Sequence, residues 1–250
     1  MEAIKRLETE AIKAAQPAEK PQGRLEKRAE RYDAQTRRQI RTHHAMAFVG
    51  GFFGIYAILT RDGTFGSAET GNLIYLVVSG LTRSGWDFLL RLGALLVYAL
   101  GIACSVLIRR YWNPTYLRWC ALAADAAACF LLAWIPAEAD PLAALYPVFF
   151  VTAVQWTAYS QAAGYKSATI FSTNNLRQCA EGATEYLCTR ETRFLRQFQF
   201  YGATLLCFHL GVAYGWFCVE RWGVSSIYAC LPPLALGAWF TWNEESGARN

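Results

Sequence analysis

Few residues in this chain place a reactive or ion-binding group in an apolar setting. Asp125 lies in the run Ala123-Ala124-Asp125-Ala126-Ala127-Ala128, a carboxylate among small residues. His209 sits in the middle of another apolar stretch, and Gln155 and Tyr159 fall one helical turn apart in a third. Two polar tripeptides each follow an apolar run: Thr70-Gly71-Asn72, preceded by Glu69, and Thr173-Asn174-Asn175. A carboxylate at the centre of a hydrocarbon layer costs on the order of 3 kcal/mol, so Asp125 is expected to face other protein. Asn and Thr can cap helices, and Gly permits backbone angles and close approaches closed to other residues. Such tripeptides can end one short helix and begin another, leaving helix ends whose partial charges suit a small ion or polar solute. The alternative use is packing, with Asp125 as a hydrogen-bonded structural residue, His209 as a core histidine and Glu69 as a solvated loop carboxylate.

The elements that would position these residues are related to one another. A shift of 103 positions aligns Thr70 with Thr173, Tyr56 with Tyr159 and Leu73 with Leu176. A shift of 110 aligns Leu100-Gly101-Ile102-Ala103 with Leu210-Gly211-Val212-Ala213. Two weakly similar halves, each with a polar interruption among membrane-length segments, point to a pseudo-symmetric core of the kind transporters use.

Composition divides the chain sharply. Residues 1–44 carry 11 Lys/Arg and 7 Asp/Glu, whereas residues 45–243 form a nearly unbroken series of apolar, aromatic-rich segments. That series is expected to be a membrane domain, because a soluble domain would show amphipathic periodicity and more charge. The first apolar run begins after residue 44, too far along for a signal peptide. The start is therefore expected to be a charged cytoplasmic tail, broken near residues 17–23, either solvated or touching anionic lipid. All eight cysteines lie in or beside apolar segments without metal-ligand spacing, so neither a disulfide scaffold nor a metal site is expected, and no cofactor.

Length and charge predict six crossings, at 45–60, 87–108, 116–135, 142–161, 198–219 and 224–242. Basic residues favour the cytoplasmic side. The pair Arg109-Arg110, Arg118, and the group Lys166, Arg177, Arg190, Arg193 and Arg196 are therefore expected inside, and the acidic loop 136–141 outside. This holds only if 66–82 and 167–188 enter and leave on one side. The expected fold is thus all-α and polytopic: six transmembrane helices plus two interrupted re-entrant segments, in an inverted repeat of 45–135 and 142–242. A short tail, 244–250, would join the N-terminus in the cytoplasm. Arg83 and Arg91 would face outward against the rule, and His43 and His44 would be interfacial.

At the two tripeptides the chain resembles a known family. Phe65-Gly66-Ser67-Ala68-Glu69-Thr70-Gly71-Asn72-Leu73, preceded by Gly51 and Tyr56, is similar to the first signature of the YoaK family of bacterial multi-pass membrane proteins. Ala168-Thr169-Ile170-Phe171-Ser172-Thr173-Asn174-Asn175-Leu176 resembles its second. The resemblance spans residues 45–242 and implies a six-span inner-membrane protein of a domain of unknown function. The chain departs from the family pattern at Gly54, where an Asp is common, and at Asn174, where a Gly is usual.

No enzyme signature is present: no G-x-S-x-G, H-E-x-x-H, phosphate loop or dinucleotide fingerprint. An intramembrane enzyme would have only Asp125 and His209 to work with. The favoured expectation is a transporter or channel for a small polar solute or ion. Its site would lie between the repeats and draw on Glu69, Thr70, Gly71, Asn72, Asp125, Gln155, Tyr159, Thr173, Asn174, Asn175 and His209. The competing expectation is a non-transporting membrane scaffold or assembly partner. Expected partners are the bilayer, the solute and anionic lipid at the tail, with self-association open and no nucleic acid.

Overall fold

The helix start with a side-chain cap among the described residues is that of the fourth helix, at Asn113. In the computed structural model of the protein, which describes residues 32–61, 63 and 69–249, α1 is Ala34–Thr60, α2 Glu69–Leu81, α3 Gly85–Tyr111 and α4 Pro114–Trp134. After a 3₁₀ turn at Ala143–Leu145 come α5 (Tyr146–Ala158), a hairpin of β1 (Gln161–Ala162) and β2 (Tyr165–Lys166), and α6 (Thr173–Thr189). Then α7 is Thr192–Trp222, a 3₁₀ stretch covers Gly223–Cys230, and α8 is Leu231–Arg249. Asn113 accepts a hydrogen bond from the Tyr116 backbone N–H (2.7 Å), and Pro114 fills the first helical position, so α4 starts sharply. The hairpin turns on Ala163 and Gly164, both at positive φ, as a two-residue antiparallel loop requires. The charged segment 1–31, with its expected break at 17–23 and its expected lipid contact, lies outside the described residues. So do residues 65–68 of the first family signature.

The protein is all-α apart from that hairpin. Among the described residues, four stretches are long and apolar enough to cross a membrane: Ala34–Thr60, Gly85–Tyr111, Pro114–Trp134 and Thr192–Gly247, the last running through α7 and most of α8. Ala143–Ala158 is apolar but shorter. No break falls at residue 44, because the polar first turns of α1 are covered by other elements. Gln35 donates to the Glu244 carbonyl, Gln39 accepts from the Ala163 N–H, and His43 bonds Ser167. Within its apolar window α1 is 67% buried against 22% for α3, so α1 is the central helix and α3 a peripheral one.

Contacts at the helix termini define two ends. At one, Arg61 reaches the carbonyls of Ile135, Pro136 and Ala137, Tyr56 donates to Val224, and Tyr146 donates to Leu90. At the other, Arg118 pairs with Glu244, Tyr159 donates to the Arg118 carbonyl, and His43 meets Ser167. Exposed Trp86, Trp134 and Trp222 ring the first end, with Trp112 and Trp242 at the second. Aromatic rings placed this way are the pattern of a membrane–water boundary.

Helix–helix approach is set by glycines that face backbone. A Cβ on Gly211 of α7 would strike the Phe48 carbonyl of α1, and one on Gly101 of α3 would lie 2.8 Å from the Phe150 carbonyl of α5. Both glycines belong to the Leu-Gly-x-Ala echo, so that repeat marks contact surfaces. Gly71, expected to permit a close approach, has open space around its missing Cβ among the described residues and lies within helical α2.

Candidate functional site

A polar cavity of about 290 Å³ occupies the second end of the bundle. Its wall takes residues from α1, α3, α4, α5, the hairpin and α8, among them His43, Arg109, Arg118, Tyr159 and Glu244. The Arg118–Glu244 ion pair (2.6 Å) joins α4 to α8, with Glu244 only 4% exposed at the side chain. Removing one partner would leave the other charge half-desolvated and alone, so the pair is a strong geometric constraint. Arg109 adds a guanidinium that forms no ion pair among the described residues. The inner wall is Tyr159, whose hydroxyl donates to the Arg118 carbonyl (3.4 Å) and lies in the electrostatic reach of Asp125, Arg118 and Glu244.

Two turns along α4 from Arg118, Asp125 is fully buried, and neither carboxyl oxygen has a hydrogen-bond partner among the described residues. Such groups are rare because each unsatisfied oxygen keeps its desolvation cost, and an orphaned buried carboxyl invites a functional reading.

Beside the cavity a layer of buried polar residues holds the segment 167–172 against α1 and α5. The Ser167 hydroxyl donates to Asn175 Oδ1 (2.9 Å), and Asn175 Nδ2 donates to the Ala168 carbonyl (2.7 Å). With the Ser167 proton so used, His43 Nε2 is the donor in their 2.9 Å contact, and its Nδ1 is left as an acceptor without a partner among the described residues. Gln155 donates to the Met46 carbonyl and to Thr169 Oγ1 at 2.9 and 3.0 Å. His43, expected at the interface, is therefore a buried organising residue.

The eleven expected site residues divide accordingly. Gln155 and Asn175 meet in the polar layer, while Tyr159 lines the cavity and Asp125 lies two turns along α4 from Arg118. Asn174 lines a separate groove between α3 and α5, described below. Thr173 is exposed at the start of α6. Glu69, Thr70, Gly71 and Asn72 sit on the first turn of α2, whose packing is on α3; Asn72 is buried and donates to Glu69 at 3.5 Å, and Thr70 is exposed. His209 is exposed on the outer face of α7 and bonds its own helix at the Leu205 carbonyl. Neither the cavity nor the groove has Thr70, Asn72, Thr173, Asn175 or Asp125 on its wall.

Sequence reasoning missed Arg61, His43, Ser167 and the Arg118–Glu244 pair. For Arg118 and Glu244 a signal existed: each charge stands at the edge of an apolar span, where single charges of opposite sign can be paired across the bundle.

Apolar helices of this length, ringed by tryptophans and enclosing polar groups, make this a helical membrane-type protein. Residues 43–240 match the family described as protein of unknown function (DUF1275), and the chain belongs to that family. No curated protein and no solved structure matches the chain.

Proposed function

We propose that the protein sits in the cell membrane as six crossings in two inverted halves, and that a small polar or ionic solute moves along a path between them. The crossings are α1, α3, α4, α5 with its preceding 3₁₀ turn, α7 and α8. The segments containing α2 and α6 enter and leave on one side. Each half then runs first helix, short helix, long helix, last helix. In both halves the short helix folds back on the long one through an Arg at φ 58°, Arg83 in the first and Arg190 in the second. Gly80 meets Phe88 and Tyr75 meets Arg91 in one pair, while Gly182 meets Phe198 in the other. The contacts of Gly101 with α5 and Gly211 with α1 join the first helix of each half to the third helix of the other. An in-plane twofold relation between the halves accounts for that exchange.

The cavity end carries Arg37, Arg38, Arg41, Arg109, Arg110, Arg118 and Lys166, and is assigned to the cytoplasm with both termini. Arg61 does not count against this orientation, being 1% exposed and bound to backbone carbonyls. This arrangement fits the YoaK-like signatures.

One observation carries the functional reading: a charged cavity walled by both halves includes Arg118, and two turns deeper along the same helix lies the buried Asp125, whose carboxyl has no hydrogen-bond partner among the described residues. The scaffold reading draws its support from the motif residues, since Asn175 is fully engaged in internal bonds and Thr70 and Thr173 face outward.

The test is flux in proteoliposomes. Sodium, potassium, chloride and phosphate gradients are read as currents, and glycerol and urea by light scattering. The expected result is protein-dependent flux of at least one probe. Asp125→Asn, which keeps size, should cut it about tenfold, the equivalent of ~1.4 kcal/mol of lost interaction. Absence of flux for every probe with folded protein returns the scaffold reading.

A further inference from the structure

A second recess, of about 570 Å³, opens on the outer side of α3, between that helix, the end of α5 and the segment leading to α6. Its two ends differ in chemistry. At the end shared with the cavity stand Arg109 and Lys166, both exposed and neither in an ion pair among the described residues. Going the other way along the same face of α3 come Val106 and Ile102, so the apolar wall extends about 10 Å from the cation. Trp156 and Phe171, edge to face at 5.2 Å, complete that wall. The neighbouring α3 surface is apolar and outward-facing, with Val106 42% and Leu107 50% exposed, and Trp112 marks the boundary just beyond Arg109. A groove with an apolar length toward the membrane interior and unpaired cations at the boundary matches an amphiphile whose head is anionic.

We propose that this groove binds an anionic phospholipid, with its phosphate between Arg109 and Lys166 and one acyl chain along Ile102, Val106 and Trp156. Two cations around one phosphate favour a head with net negative charge. A choline or ethanolamine head brings a positive group that the second cation repels. The guanidinium can hold two phosphate oxygens at once, and the ammonium a third. The occupant is a bilayer lipid and not free phosphate, because most of the groove wall is hydrocarbon that a bare anion would leave unfilled.

Trp156 serves as the reporter. Full-length wild type and Trp156→Phe are reconstituted in phosphatidylcholine vesicles doped with acyl-brominated phosphatidylglycerol or acyl-brominated phosphatidylcholine. The difference in fluorescence between the two proteins isolates quenching at Trp156. The expected result is stronger quenching of Trp156 by brominated phosphatidylglycerol than by brominated phosphatidylcholine. In Arg109→Gln/Lys166→Gln the preference should fall on the order of tenfold, since each surface cation contributes measurably to anionic-lipid attraction. Arg109→Lys/Lys166→Arg, which keeps both charges at exposed positions, should retain it. Soluble glycerol 3-phosphate should not displace the quencher. Equal quenching by the two lipids in the wild type, a preference that survives in the double Gln variant, or displacement by glycerol 3-phosphate would each overturn the proposal.

Discussion

Arg61 shows how a single residue's role can be hidden by its charge. In sequence it reads as an ordinary basic residue ending an apolar run. In the fold it is buried, and its guanidinium donates to the carbonyls of Ile135, Pro136 and Ala137 at 3.2, 2.9 and 3.2 Å. These carbonyls follow directly on the end of α4, and a cation there also meets the negative end of the helix dipole. Arg61→Ala should therefore lower stability by about 3 kcal/mol, because charged hydrogen bonds are lost and acceptors stay buried. Thermal unfolding in detergent would read the loss, and a variant as stable as wild type would contradict this role. The burial of Asp125 was legible because a single carboxylate in an alanine run must face protein and not lipid, whichever role it has. His43 was not, since two adjacent histidines at the edge of a span look interfacial until the hairpin and α7 cover them. Asn175 was legible as a motif residue, but its work is to staple residues 167–172 in place through Ser167 and Ala168.

At the scale of elements, part of the sequence repeat coincides with helix–helix contacts. The Leu-Gly-x-Ala echo marks the two glycines that let α3 and α7 press against carbonyls of α5 and α1. The tripeptide glycine, Gly71, faces open space among the described residues. Gly211→Ala should therefore destabilise the protein by roughly 1–3 kcal/mol through overpacking against Phe48, whereas Gly71→Ala should be neutral or slightly stabilising in a helix. Unfolding midpoints of the two variants side by side check this, and equal effects would count against it. Span boundaries were legible where length and charge set them, as at the end of α3. They were not where polar residues pair across the bundle: α1 begins at Ala34 because Gln35, Gln39 and His43 find partners on α8, the hairpin and Ser167. The 3₁₀ stretch Gly223–Cys230 was equally hidden. The run 224–242 carries no charged residue, and the α-helix starts only at Leu231, where Pro232 and Pro233 fit a first turn that needs no N–H partners.

For the whole molecule, the inverted arrangement proposed above would account for a charged cavity at one end that draws its wall from α1, α3 and α4 as well as from α5 and α8. The central claim is that water and solute reach from that cavity to Asp125. Thiol accessibility measures this most directly. On a background with the eight native cysteines replaced, a single cysteine is placed at Thr157 on the cavity wall, at Asp125, or at the sealed core position Leu132. Each protein in oriented vesicles is then exposed to a small membrane-impermeant thiol reagent from the side that labels Tyr111→Cys. Thr157→Cys and Asp125→Cys should both be modified from that side, the second more slowly, while Leu132→Cys stays unreactive. If Asp125→Cys is as inert as Leu132→Cys while Thr157→Cys reacts, the path ends at Tyr159 and the transport reading is contradicted.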